Sequence, residues 1–419
     1  MTTTLQRAAP TSHQRLALLR RNRSSGRLSW MALGLSLVAY ASIQIVTHHP
    51  FHVGGRGLNY FDLQIYRGGA ERVVHALALY HQSILGRLGF TYPPFAALVF
   101  MPLAYLPLAA AELVVTVGNL LLLGWTLHRA FLIRRCVTSS ATSADSARKR
   151  RMVLFSTAAA IWLEPISVAL GYGQVDLLIA ALVVFDLSRP DSARTKGATI
   201  GLAAALKLTP LLFLVYLLMS GRRRAAALGA AVFAASIGLS FAVVRGDAAA
   251  YWGRVFFSTS RIGNGSDTAN QSLRGALARL SPAVESSLGG HLAIVAITIL
   301  GLWLAVRASR KGDEAAGFSF AALSTLLASP ISWTHHWALV VPALMLLGQR
   351  AYDHQSPRLA RCTVVLGLVG YSYLPEAAEG TGGPHGIVSL VTSDPYVLIA
   401  LIVLATAAVA STRDARPKS

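Results

Sequence analysis

LSWMALGLSLVAYASIQIVTH, residues 28–48, is an apolar run that follows a basic stretch from Arg7 to Arg27. A helix needs about 20 apolar residues to cross a hydrocarbon core. A cleavable signal peptide has a shorter apolar core and a small-residue cleavage site. The run therefore reads as an uncleaved signal anchor. Residues 1–27 form a basic inner tail, and the chain from Phe51 onward lies outside.

The rest of the chain agrees with that class. Of 419 residues, 54% are hydrophobic and 13% charged, and the mean hydropathy is +0.51. A soluble domain carries about a quarter charged residues. Apolar runs recur to residue 410, which predicts one all-α polytopic membrane domain, residues 28–410, and a short inner tail, 411–419. The net charge of +20 sits in short loops between apolar runs. It reads as inner loops beside anionic membrane lipids rather than as a nucleic-acid surface. Cys136 and Cys362 suggest no disulfide framework and no metal cluster.

The basic loops serve as topological pins. They are Arg134-Arg135 with Arg148–Arg151, Arg189 to Lys196, Arg222–Arg224, Arg307 to Lys311, Arg350 to Arg361, and the C-terminal tail. Between the first loop and Asp62, one full span over Ala109–Ile133 is expected, preceded by a partial element over Pro94–Leu106. Met152–Leu170 and Val175–Leu187 form a hairpin with its tip at Gly171–Gln174. Ala198–Ser220 is too short for two spans and breaks at Lys207-Leu208-Thr209-Pro210. Such breaks are tolerated at depth only where they line a cavity. Residues 245–288 form the longest polar segment. The total is about twelve crossings, with both ends inside and an active face outside.

One face collects the polar residues. Asn59–Tyr66 places Asp62 among Phe61, Leu63 and Tyr66. There it is either a general base with a pKa raised by burial, or a solvated loop acid or helix cap. Lys207 lies in an apolar run, either neutralising a lipid phosphate or snorkelling to the interface. His335 and His336 stand between Trp333 and Trp337. Adjacent histidines diverge on a helix, which argues against a shared metal. The pair reads either as donors into a polar cavity, with the tryptophans as sugar platforms, or as part of an aromatic belt. Arg274 is either a bidentate phosphate ligand or a solvated loop arginine. The chain has no Walker A loop, no Gly-x-Gly-x-x-Gly opening a helix and no His-Glu-x-x-His.

Six motifs run in order from about residue 60 to 350: Phe61–Tyr66, Phe90–Leu98, Gly173–Leu178, Leu206–Pro210, Asn270–Ser272 and Ser329–Trp337. Together they resemble glycosyltransferase family 87, of the membrane-embedded GT-C class, and within it the actinobacterial polyprenyl-phosphate-mannose-dependent α-1,2-mannosyltransferases. The resemblance implies a GT-C fold in the plasma membrane. It implies an inverting transfer of mannose from polyprenyl-phosphate-mannose to a hydroxyl of a phosphatidylinositol mannoside, a glycolipid acceptor. It casts Asp62 as the catalytic base and Lys207, His335, His336, Arg274 and Gln271 as donor phosphate or sugar ligands. Tyr66, Tyr92, Gln174 and Trp333 then line the substrate cavity. The GT-C signature often has two acids in the first outer loop, whereas here Asp62 stands alone until Glu71. No metal and no cofactor is therefore expected. The rival readings are a mannosyl- or arabinofuranosyltransferase acting on lipomannan or arabinomannan, and a transporter of a lipid-linked sugar.

Overall fold

The computed structural model describes residues 12–47, 58–86, 88–133, 143–258, 261–378 and 391–414. The pin Arg134-Arg135, Cys136 and the Gly-rich loop ending near Gly386 lie outside them. The described chain is helical. Its only extended pairings among the described residues are two isolated bridges, Leu85 with Leu88 and Asn270 with Trp333.

The helices are α1 (Ser12–Thr47), α2 (Phe61–Val74), α3 (Pro94–Ala104), α4 (Leu108–Ile133), α5 (Ser143–Ala160), α6 (Glu164–Tyr172), α7 (Asp176–Leu187), α8 (Ala198–Leu206) and α9 (Leu211–Met219). They continue with α10 (Arg223–Val243), α11 (Arg245–Gly253), α12 (Leu273–Leu280), α13 (Pro282–Ser286), α14 (Leu288–Arg310) and α15 (Glu314–Ala328). The last are α16 (Val341–Asp353), α17 (Pro357–Gly370), α18 (Leu374–Ala377) and α19 (Pro395–Asp414), with a 3₁₀ turn at Thr334–Val340 before α16.

Among the described residues, α4, α10, α14 and α19 are single helices long and apolar enough to cross a membrane. The pair α5 and α6, bent by 70°, adds a fifth if it counts as one span. The sequence led us to expect about twelve crossings. Many of its apolar runs instead form helices of 9 to 15 residues, such as α6, α7, α8, α9 and α15. At 1.5 Å per residue these reach at most about 23 Å.

Long and short helices differ in what they bury. The long ones expose large side chains, such as Leu113 and Leu121 on α4, Ile299 on α14 and Ile402 on α19. Apolar side chains exposed in such number suit contact with lipid. The short ones form the interior: α7 buries Leu177, Ile179, Val183 and Val184, and α15 buries Phe318, Leu323 and Leu326.

The short helices α7, α8, α9 and α15 share one orientation of ends. At one end lie the basic loops, tied together by side chains. Arg222 pairs with Asp191 at 3.0 Å and with Glu314 at 2.6 Å. Arg310 donates to the Met219 carbonyl at 3.0 Å, and Arg129 to Ser188 at 3.1 Å. Arg350 pairs with Asp313, and Arg148 with Asp353. The described pins around Arg148, Arg189, Arg222, Arg310 and Arg350 thus gather at one end. The other end holds Asp176, Lys207, Leu211 and Ser329, where the helices open into a cavity.

Candidate active site

The site is built on a turn. α6 ends at Gly173, whose φ of +65° is left-handed. The carbonyl of Gly171 accepts from the backbone N–H of Asn59 at 3.1 Å and of Tyr60 at 2.9 Å. These bonds dock the start of α2 onto the α6–α7 turn. Asp62, in the first turn of α2, is thereby brought beside Gln174, which is 112 residues away in the chain. The approach is close: a Cβ at Gly173 would stand 2.8 Å from Leu63 Cβ. Gly173→Ala is therefore expected to destabilise the protein by about 1–3 kcal/mol, from left-handed strain plus the contact. Thermal unfolding in detergent measures this, and a variant melting like wild type would contradict it.

Around that turn lies a cavity of about 860 Å³, within the range of roughly 300–1,000 Å³ typical of ligand pockets. Asp62, Tyr92, Gln174, Lys207, Trp333, His335 and His336 all line it. Gln174 Nε2 donates to Asp62 Oδ2 at 2.6 Å and lies 3.1 Å from His335 Nε2. The Tyr66 hydroxyl donates to Gln174 Oε1 at 2.5 Å and lies 2.9 Å from the Tyr92 hydroxyl. Tyr66 is therefore a buried support for the lining rather than a part of it.

Lys207 ends α8 in extended backbone, at the break expected between α8 and α9. Its ammonium donates to Asp176 Oδ1 at 2.7 Å and stands 5.7 Å from the Tyr92 ring centre. The other oxygen, Asp176 Oδ2, is buried without a hydrogen bond, 3.9 Å from His335 Nε2. His336 Nδ1 is likewise buried without a partner. Burial, with the positive charge of Lys207 next, holds His336 well below the usual histidine pKa, so it is neutral. Asp176, His335 and His336 bring one ligand atom each within 4.8 Å of one another, a set that could hold a metal ion. Lys207 already supplies a positive charge to Asp176 there.

Burial is the largest influence on Asp62 and pushes its pKa up to about 7. Lys207 and the Gln174 hydrogen bond pull it back, and Asp176 adds to the rise. Asp62 is half-buried at the cavity wall, where water would moderate the shift.

Two expected donor ligands stand elsewhere. Arg274, on α12, is paired with Glu285 and does not line the cavity. Gln271 is a staple: its Nε2 donates to the carbonyls of Thr268 at 2.6 Å and Ser393 at 2.5 Å. Its Oε1 accepts from the Tyr396 N–H at 3.2 Å, and its own N–H donates to the Ser332 carbonyl at 2.8 Å. Asn270 Oδ1 accepts from the Ser332 N–H at 2.9 Å. The Asn270-Gln271-Ser272 motif thus holds the Ser329–Trp337 loop in place. Trp333 packs so tightly on Gly263 that a Cβ there would stand 2.7 Å from the indole.

Two residues escaped the sequence reading. Asp176 stood in the Gly173–Leu178 motif without a role. Arg261 lines the cavity and donates to the Tyr80 carbonyl at 3.0 Å, with no carboxylate partner among the described residues. Its place just after Phe256-Phe257 in the polar segment 245–288 was the available signal, a weak one because that segment holds four other arginines.

Residues 90–330 match the family model described as glycosyltransferase family 87. That match spans more than half of the chain. The chain belongs to glycosyltransferase family 87. It is 32% identical over 371 residues to the polyprenol-phosphate-mannose-dependent alpha-(1-2)-phosphatidylinositol mannoside mannosyltransferase of Mycobacterium tuberculosis H37Rv, covering 84% of each chain. It is 34% identical over 305 residues to the polyprenol-phosphate-mannose-dependent alpha-(1-2)-phosphatidylinositol pentamannoside mannosyltransferase of Mycolicibacterium smegmatis, covering 70% of each. A second Mycolicibacterium smegmatis relative, a phosphatidylinositol mannoside mannosyltransferase, is 33% identical over 348 residues, covering 76% of this chain and 78% of its own. No solved structure matches. The family 87 match takes in the Tyr92, Gln174, Asp176, Lys207 and Arg261 positions, whereas Asp62, His335 and His336 lie outside it.

Proposed function

We propose that this family 87 glycosyltransferase transfers mannose from polyprenyl-phosphate-mannose to the 2-hydroxyl of a mannose on a phosphatidylinositol mannoside. The reaction takes place on the outer face of the plasma membrane. The observation that carries the reading is one cavity holding a half-buried carboxylate, Asp62, together with a lysine and two buried histidines. The likeness to the mycobacterial relatives supports the donor and acceptor. The gathering of basic loops at the far end supports an outward-facing cavity.

The chemistry is a single displacement. Asp62 takes the proton from the acceptor hydroxyl as its oxygen bonds to the anomeric carbon of the donor. The bond from that carbon to the phosphate oxygen breaks on the opposite face, and polyprenyl phosphate leaves with the electron pair. A β-linked donor thereby gives an α-linked product. Lys207, with neutral His336 and with His335, meets the charge that develops on the leaving phosphate, the kind of fixed stabilisation that dominates many transfers. Neither metal nor cofactor is assigned a step.

The test is transfer by purified protein in detergent, with polyprenyl-phosphate-mannose and a phosphatidylinositol mannoside, read by mass. One added hexose is expected. Substrate movement only in sealed vesicles, with no new glycolipid, would instead indicate a transporter.

The pH dependence has a definite sign. A carboxyl raised to about 7 stays protonated below that value and is a base only above it. With Asp62 acting as base, kcat/KM should fall about tenfold per pH unit on the acid side of 7 and level off above. A profile flat from pH 5 to 8 would contradict the assignment.

A further inference from the structure

We infer that Gln174 is the positioning residue of this site: its one carboxamide aims the Asp62 carboxylate and fixes the proton of His335, joining the acceptor side to the phosphate side. The inference rests on the function proposed above and adds to it a residue that touches neither reacting bond.

Donors and acceptors around the carboxamide pair off in one way. A carboxamide offers one oxygen acceptor and two N–H donors, and a tyrosine hydroxyl has a single proton to give. Gln174 Oε1 receives the Tyr66 hydroxyl proton at 2.5 Å. The Tyr92 hydroxyl lies 2.9 Å from the Tyr66 hydroxyl and 3.5 Å from Gln174 Oε1; because Tyr66 has already given its proton to Gln174, Tyr92 donates to the Tyr66 oxygen, and this chain of donors ends on Gln174 Oε1. The amide nitrogen then has its two protons for Asp62 Oδ2, at 2.6 Å, and His335 Nε2, at 3.1 Å. A flipped amide would set its oxygen against the Asp62 carboxylate, two acceptors face to face. An ionised Asp62 therefore enforces this orientation, and Tyr66 supports it from behind.

Two consequences follow. His335 Nε2 accepts from Gln174, which places the ring proton on Nδ1. Of the two Asp62 oxygens, Oδ2 is engaged by Gln174, and Oδ1 has no hydrogen bond among the described residues. Oδ1 is the oxygen left for the acceptor hydroxyl. The backbone of Gln174 is held independently: its carbonyl accepts from Asn119 Nδ2 at 3.0 Å. Side-chain replacements therefore keep that anchor. The charged and titratable groups around Asp62 are Lys207, Asp176, His335, His336, Tyr66 and Tyr92.

The experiment compares wild type with Gln174→Met, Gln174→Glu and Tyr66→Phe, using purified protein and the donor and acceptor named above. It measures kcat, donor KM and the acid limb of the pH profile. Met removes the donors without adding charge, and Glu keeps the shape but sets a carboxylate against Asp62. Both should lower kcat by roughly 10- to 100-fold with donor KM within about twofold. Both should move the acid limb to higher pH, Glu by about one unit or more. Tyr66→Phe should move kcat and the limb in the same direction by less. A merely structural Gln174 would lower the yield of folded protein and leave the limb in place. An unmoved limb, or an unchanged kcat, overturns the inference while the function stands. If Gln174→Glu does not fold, the Met and Phe variants decide on the same readouts. Absence of mannose transfer by wild type is a separate failure, that of the functional reading, and the positioning role falls with it.

Discussion

Asp62→Asn is expected to lower kcat by about 10²- to 10⁴-fold and to leave KM for both substrates near wild type. Asn preserves the shape of the side chain and can still meet Gln174, whose nitrogen now bonds the Asp62 Oδ2 at 2.6 Å. What it cannot do is take a proton at the acceptor hydroxyl. The loss should therefore fall on a step made only in the transition state, and the acid limb of the pH profile should vanish with it. Steady-state kinetics on monodisperse variant in detergent would measure this. A variant with kcat within threefold of wild type would leave the transferase reading intact but remove Asp62 as its base.

The second large effect concerns stability. The Lys207–Asp176 pair has side chains only 13% and 7% exposed, and Nζ lies 2.7 Å from Oδ1. Lys207→Met would strand the Asp176 carboxylate in the interior, where its Oδ2 already lacks a hydrogen bond. Breaking such a pair from one side costs about 3–5 kcal/mol, because an uncompensated charge remains. Replacing both partners by apolar residues often restores stability. Lys207→Met and Asp176→Leu should each lower the melting temperature sharply, and the double variant should recover most of that loss without recovering transfer. Single variants that melt like wild type would show that the pair holds nothing together. A double variant with normal kcat would remove Lys207 from the phosphate site.

Much of this arrangement was legible in the sequence, and the reasons are local. A lone acid among aromatic residues marked Asp62. Lys-Leu-Thr-Pro in an apolar run marked the α8–α9 break, because proline and a buried cation both disfavour continued helix. Gly171–Gln174 marked the turn before α7, and Pro94–Leu106 the short helix before α4. What was not legible depends on partners distant in the chain. Asp176 and Lys207 are 31 residues apart and meet only through packing of α7 beside the α8–α9 break. Gln271 looked like a ligand because it is polar and stands in a motif, yet its side chain bonds Thr268, Ser393 and Tyr396, and its backbone N–H meets the loop that carries His335 and His336 at Ser332. The 70° bend between α5 and α6 lies within a run that hydropathy reads as continuous. The same measure also counts the runs that form short buried helices such as α7 and α15; among the described residues four helices, or five with the bent pair, are long and apolar enough to cross.

The most direct test of the central claim is the anomeric configuration of the product. Purified protein would receive polyprenyl-phosphate-mannose with a β-linked sugar, ¹³C-labelled at the anomeric carbon, and a phosphatidylinositol mannoside acceptor. The carbon–proton coupling of the product would then be read by NMR. A single displacement with Asp62 as base gives an α linkage to the 2-hydroxyl. A β linkage would require a second displacement and a nucleophile that this account does not contain.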